Sequence, residues 1–174
     1  MPPRFVAALC NPFSLSARAL FVAKGVKGFD QFNRDELRVL EMPAANGTGT
    51  ARAIAKLYGS AATGGSEIGL RPDVLDTLKK PAIPPTNGLR DKVLHVDMIF
   101  SLGFCKPSEM AVFGSSDKAF GTPGAGGSFG FADPDTGIGY AYVMNKMGFH
   151  LVDPRERGLR NALFHDVLGA RPQT

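Results

Sequence analysis

Apolar positions recur at helical spacing in the first half of the chain and at alternating spacing in the second. Between residues 50 and 63, Ile54, Leu57, Tyr58 and Ala61 fall on one face of a 3.6-residue period. This spacing predicts a helix over 50–63, capped by Thr48 or Thr50 and ended by Gly64-Gly65 in the left-handed conformation. Pro72 opens a second helix to about Lys80, with Val74, Leu75 and Leu78 turned inward and Pro81 as the stop. Two shorter helices are expected earlier. One covers 14–21 and starts at Ser14; the other is capped by Asn33, carries Asp35 and Glu36 in its first turn and ends before Pro43. Residues 22–32 and 81–95 read as connections. From Met98 onward the period changes to two, predicting strands at about 98–104, 110–114, 118–124, 127–132 and 137–146. Asp133-Pro134-Asp135-Thr136-Gly137 is a turn, since proline fixes φ and glycine supplies a positive one. In the last strand Ile138, Tyr140, Tyr142 and Met144 share one face, and Gly139, Ala141 and Val143 the other. Both faces are apolar, which predicts a central strand. A final helix is expected over 154–168, with Pro154 in its first turn and Leu159, Leu163 and Val167 along its apolar stripe. The fold class that follows is α+β, a single domain over 1–174: helices in 14–80, an antiparallel sheet of about five strands in 98–146, and a C-terminal helix over 154–168. The helix at 50–63 should lie on one face of that sheet and the final helix on the other.

Composition adjusts this picture in three places. The 21 glycines and 13 prolines are many for 174 residues, so much of the chain must be turns and connections. The net charge is +4, but the basic residues are scattered rather than gathered in a stripe, which argues against a nucleic-acid surface. Two cysteines, Cys10 and Cys105, are too few for a disulfide framework. No apolar run is long enough to span a membrane. The stretch Phe5-Val6-Ala7-Ala8-Leu9-Cys10 is too short for a signal peptide and is interrupted by Asn11-Pro12, so the expected location is the cytoplasm.

The densest chemical signal is Phe120-Gly121-Thr122-Pro123-Gly124-Ala125-Gly126-Gly127-Ser128. It falls one residue short of a P-loop, with Gly127 where the lysine belongs, and a strand rather than a helix is expected after it. Ser115-Ser116-Asp117-Lys118 matches the serine-x-x-lysine pattern, but it sits between strands, so a polar loop is the expected reading. The histidines His95, His150 and His165 have no metal-binding spacing with one another or with either cysteine. No metal and no cofactor are expected.

The run Met42 to Tyr58, with Met42-Pro43-Ala44-Ala45-Asn46-Gly47-Thr48-Gly49-Thr50-Ala51-Arg52, resembles the serine β-lactamase-related hydrolases, as does the run Phe120 to Met147. That family includes class C β-lactamases, D-alanyl-D-alanine peptidases and β-lactamase-like carboxylesterases, and the likeness is nearest the esterases. It extends from Phe13 to the final helix. The resemblance implies an acyl-serine mechanism built from a serine-x-x-lysine helix, a tyrosine loop and a third motif on a strand. The third motif corresponds to Thr122-Pro123-Gly124, with Thr122 in place of the usual lysine, histidine or tryptophan. Ala125 would then offer its backbone N–H to the oxyanion, a contribution of a few kcal/mol in enzymes of this kind. Gly124 and Gly126 would keep the strand bare for substrate.

By the same resemblance the first two motifs belong upstream of the region that matches Met1 to Asn33. The chain is therefore expected to correspond to the C-terminal half of such a hydrolase and to be inactive alone. The expected ligands are a small acyl ester, lactam or peptide-like substrate. The expected partners are a missing N-terminal half or a second copy, with neither nucleic acid nor membrane. A non-catalytic binding or interaction module derived from the same fold is the alternative.

Overall fold

The computed structural model describes residues 2–20, 29–42, 47–150 and 152–173. The expected helix at 50–63 is present as α4, Ala51–Ala62, and the Thr50 hydroxyl accepts the Ala53 N–H as its N-cap. Gly64 and Gly65 follow with positive φ and release the chain from the helix. The helix opened by Pro72 is α5, Pro72–Leu78, which buries Leu75 and Leu78. Three short helices come earlier: α1, Pro3–Leu9, which the sequence reading did not anticipate; α2, Leu15–Leu20; and α3, Asp35–Arg38. Arg34 rather than Asn33 stands at the N-cap of α3. Most of the expected connection at 22–32 lies outside the described residues, and Phe29–Asn33 form a 3-10 turn.

The sheet is an antiparallel meander in the order β1 to β5: β1 is Phe100–Ser101, β2 Phe104–Cys105, β3 Phe120–Pro123, β4 Phe129–Asp133 and β5 Ile138–Tyr142. Helices flank it on both faces, so the α+β class holds. Three strand expectations need correction. The single strand at 98–104 is two short strands joined by a tight turn at Leu102 and Gly103, both with positive φ. Leucine is a rare occupant of that conformation, so Gly103 was the one mark of the turn in the sequence. The strand at 110–114 is absent; only an isolated bridge, Ser108 to Ala111, forms there. Finally, among the described residues β5 stands at the end of the strand order rather than inside it. Its two apolar faces report cover from above and below, by α4 and by the C-terminal helix, and carry no information about a lateral neighbour.

Strand alternation splits the core in two. Phe120 and Ala132 point to one face and pack with Ala61, Ala62, Leu75 and Leu78 from α4 and α5. Phe129 and Phe131 point to the other and pack with Phe113, Ala119 and Phe164. Glycines let α4 lie close: a Cβ on Gly139 would stand 2.0 Å from the Gly59 nitrogen and 2.3 Å from the Ala55 carbonyl oxygen. The helix backbone therefore rests directly on β5.

The C-terminal helix, α6 (Pro154–Asn161), continues as a π-helical turn, Ala162–Val167. Its buried stripe is not the expected one. Leu159 and Val167 are exposed, while Glu156, Arg160 and Phe164 are buried. Arg160 is fully enclosed because its charge is matched: Nε donates to Glu156 Oε1 at 2.9 Å and Nη2 to Oε2 at 3.1 Å. It also donates to the Val112 carbonyl and lies over the Phe129 ring. A charged i, i+4 pair that neutralises itself can occupy an inward stripe that a purely apolar count assigns elsewhere. Among the described residues no helix is long and apolar enough to cross a membrane.

Lys106 is a second buried cation. Its Nζ donates to the carbonyls of Leu78 and Lys79 at 3.0 Å each and of Lys118 at 3.1 Å. It thus satisfies carbonyls left open where α5 ends and ties them to the approach to β3. Burial pushes its pKa down to about 8.

Candidate functional site

The glycine-rich segment forms the β3–β4 hairpin, with Thr122 opposite Gly130 and Pro123 opposite Phe129. No helix starts there, so the backbone N–H groups do not converge as a phosphate-binding loop requires. Across the hairpin the Gly124 N–H donates to the Ser128 carbonyl at 2.7 Å, and the Gly127 N–H to the Gly124 carbonyl at 3.2 Å. These bonds fix the parity of β3. In an antiparallel ladder, successive residues aim their N–H and C=O groups to opposite sides. Phe120, Thr122 and Gly124 therefore face β4, and Gly121 and Pro123 face the β2 side; in the turn that follows, the Ala125 N–H points away from β4, because it lies opposite in its peptide to the Gly124 carbonyl that accepts from Gly127.

On that side β2 meets β3 only at Gly121, opposite Cys105. Beyond Gly121 the edge has no strand partner among the described residues. Pro123 fits there because its missing N–H would have had nothing to bond. Ala125 is exposed at the hairpin tip, and its N–H has no acceptor among the described residues. The open edge thus presents the Pro123 carbonyl and the Ala125 N–H in succession.

The tip is held firmly from behind. The Gly148 N–H donates to the Gly126 carbonyl at 2.7 Å. Both Gly126 and Gly127 have positive φ, and their bare sides face Met147 and Asp153 rather than an open cleft. Asp153 is buried and N-caps α6. It accepts from the Arg155 N–H and Nε at 2.9 Å each and from Nη2 at 2.6 Å. The Arg155 side chain, with the Arg155 N–H, holds the Asp153 carboxyl down at about 2.

Thr122 lies on the α4 face of the sheet, and its residue is exposed. Its hydroxyl lies near that of Tyr58 on α4. Burial raises the Tyr58 pKa above its ordinary value, and the Thr122 contact partly opposes this. Tyr58 also covers Gly130, where a Cβ would come within 2.6 Å of the ring. Sequence reading gave Tyr58 only a core role; the register that sets Thr122 beside Gly130 is what reveals the contact.

The serine motif at 115–118 is not a nucleophile pair. Ser115 donates its N–H and its hydroxyl to Asp133 at 3.0 Å each, and Thr136 donates to the same carboxylate at 2.7 Å. Lys118 turns away to Asp135 at 2.8 Å. The segment braces the Asp133–Gly137 turn.

Ser16 and His95 make one serine–histidine contact, 3.3 Å from Oγ to Nε2. It has the wrong polarity for catalysis. The Ser16 hydroxyl donates to the Val93 carbonyl, so Nε2 must be the donor to Oγ and has no lone pair free to take a proton. Ser16 is also wholly buried. His165 is exposed and pairs with Asp166. Among the described residues there is no cluster of three or more metal-ligating side chains, and both cysteines are free, Cys10 exposed and Cys105 buried.

Comparison with known proteins agrees with this geometry. The beta-lactamase family model matches residues 11–163. Esterase/beta-lactamase LipL of Mycobacterium tuberculosis (strain ATCC 25618 / H37Rv) is 37% identical over 107 residues, which are 62% of this chain and 24% of LipL. Among solved structures, a novel penicillin-binding protein homologue from Caulobacter crescentus is 37% identical with a TM-score of 0.59, over 75% of this chain and 34% of that one. A family VIII carboxylesterase is 38% identical with a TM-score of 0.60, over 71% and 32%. EstA from Arthrobacter nitroguajacolicus Rue61a is 28% identical with a TM-score of 0.64, over 77% and 36%. The chain spans about a quarter of the length of LipL and about a third of each of these structures. With the family model covering most of its residues and an antiparallel sheet of the same architecture, this chain belongs to the beta-lactamase family.

Proposed function

We propose that this chain is the C-terminal portion of a β-lactamase-related serine hydrolase and contributes the oxyanion strand and substrate-facing sheet of an acyl-serine site for ester or amide hydrolysis. The observation that carries the reading is the open β3 edge. Beyond Gly121 it offers a backbone carbonyl at Pro123 and an uncommitted N–H at Ala125, on a hairpin locked from behind by Met147 and Asp153. A fixed donor of this kind stabilises a developing oxyanion without reorganising at the moment of reaction. An acyl ester or amide lying antiparallel to β3 would meet the same pair of groups.

Attack requires a serine with a base, and residues 1–174 do not assemble one among their described positions. Ser115 is bound to Asp133, and Ser16 donates to the Val93 carbonyl. On this reading the nucleophile comes from other polypeptide, and the chain alone is inactive. The test is labelling by a fluorescent fluorophosphonate. The isolated chain should remain unlabelled. A chimera in which it replaces the matching third of the family VIII carboxylesterase should be labelled at the nucleophilic serine contributed by the esterase. Stoichiometric labelling of the isolated chain, or a folded chimera that never labels, would overturn the proposal.

A further inference from the structure

Between the end of α5 and the start of β1 the chain runs through Pro81-Ala82-Ile83-Pro84-Pro85. Pro81 stops α5, but a stop does not account for the two prolines that follow. Each proline fixes its own φ at about −65°, and each pushes the residue before it into extended backbone. Lys80, Pro81, Ile83, Pro84 and Pro85 are all restricted in this way, and only Ala82 is not. Residues 81–85 form neither helix, strand nor turn. The remaining choice is the left-handed polyproline conformation, with about three residues per turn, in which Pro81 and Pro84 recur on one edge.

The segment is displayed rather than packed. Every residue from Pro81 to Arg90 is exposed, and Ile83 is 94% exposed. Ile83 belongs to neither half of the core. The segment is nonetheless held in place. The Ala82 N–H donates to the Phe100 carbonyl of β1 at 2.7 Å. Upstream, Lys106 holds the Leu78 and Lys79 carbonyls. Downstream, the Gly88 N–H donates to the Pro85 carbonyl at 2.9 Å and the Met98 N–H to the Leu89 carbonyl at 3.0 Å, while Arg90 pairs with Asp97 at 2.9 Å. The carbonyls of Pro81, Ala82, Ile83 and Pro84 accept no hydrogen bond among the described residues. A stiff apolar segment with open carbonyls and fixed ends loses little freedom when a partner takes it up.

We infer that Lys80–Pro85 is a docking ligand for a partner protein that reads polyproline backbone: a shallow groove lined by aromatic rings, with a carboxylate at the end that meets Lys80. Lys80 is exposed and stands immediately ahead of Pro81. The Lys80-Pro81 and Ile83-Pro84 pairs each fill one slot between rings, and side-chain donors of the groove reach the open carbonyls. Such a groove takes carbonyls rather than N–H groups, so the anchor from Ala82 to β1 does not compete with it. Charge and shape thus select an aromatic, acidic surface as the occupant.

The experiment titrates the full chain, labelled with nitrogen-15, with a panel of purified SH3 and WW domains, which carry grooves of this kind. At least one should bind in the micromolar range and shift the amide signals of Lys80, Ala82, Ile83 and Thr86, leaving those of Gly124 to Ser128 in place. Pro84→Ala and Ile83→Glu change only exposed side chains, so both should fold. Each should weaken binding by about tenfold or more through loss of one slot. Lys80→Ala should weaken it most at low salt. Absence of binding to every domain at millimolar concentration, equal binding of Pro84→Ala, or shifts confined to other surfaces would overturn the inference. So would self-association of the chain that Ile83→Glu abolishes, an outcome that would identify a second copy as the occupant. None of these readouts involves Ala125, so failure here leaves the oxyanion reading standing.

Discussion

Among the described glycines, Gly139 leaves the least room for a Cβ, and the substitution it suggests has a cost that can be worked out. Gly139→Ala places a methyl 2.0 Å from the Gly59 nitrogen, 2.3 Å from the Ala55 carbonyl oxygen and 2.5 Å from the Gly59 Cα. All three atoms are backbone of a helix anchored by Tyr58, Ala61 and Ala62 in the core, so no side chain can rotate aside. Carbon needs about 3.5 Å from such atoms, so α4 must lift by more than 1 Å or β5 must bend. Overpacking of this kind typically costs 1–3 kcal/mol and occasionally more; with rigid backbone on both sides, about 3 kcal/mol is expected. For a chain of this size that lowers Tm by roughly 6–12 °C. Gly158→Ala, the same chemical change inside α6, meets nothing within 4 Å. It should raise stability by about 0.5–1 kcal/mol through helix propensity. Thermal and urea unfolding of both variants is the assay. A neutral Gly139→Ala, or two effects of the same sign, would refute the claim that helix and strand are in backbone contact.

Other outcomes follow from the buried charges. Glu156→Gln leaves Arg160 enclosed without its counter-charge and should cost about 3–5 kcal/mol in urea unfolding; Leu159→Gln on the same helix should be nearly neutral because that side chain is exposed. Lys106→Met should destabilise by about 1–3 kcal/mol by orphaning carbonyls at the end of α5. The native Lys106 has a folded pKa near 8 against about 10.4 unfolded. Between those values the unfolded chain binds more protons, so native stability rises with pH, and the deficit of the methionine variant should widen from pH 8 to 10.5. Asp153 follows the same sign in a lower pH window. Its carboxyl is held near 2 by Arg155, so its contribution is present above about pH 4 and lost as pH falls toward 2. The stability gap between the native chain and Asp153→Asn should close across that window.

Much of the architecture was legible because it follows from local chemistry. Thr50, Gly64 and Gly65 bound α4, Pro72 opens α5, and the Asp133–Gly137 turn separates β4 from β5, each by a mechanism that acts within a few residues. What was not legible depends on long-range pairing. The Leu102-Gly103 turn places a leucine in a conformation that leucine rarely adopts. The place of β5 at the end of the described strand order is a lateral property that alternation does not encode. The buried Glu156–Arg160 pair inverted the reading of α6, although its i, i+4 spacing was the available signal. At the candidate site the glycines marked the hairpin, but the openness of the β3 edge and the Tyr58–Thr122 contact emerge only from the strand register.

The central claim concerns one backbone N–H. In the esterase chimera, Ala125→Pro removes that donor while Gly124 and Ser128 still close the hairpin, and folding can be checked by thermal unfolding. Hydrolysis of p-nitrophenyl butyrate should then fall in kcat by about 10²–10³, with KM little changed. A folded Ala125→Pro chimera that keeps its full kcat would contradict the assignment of the open β3 edge to the oxyanion.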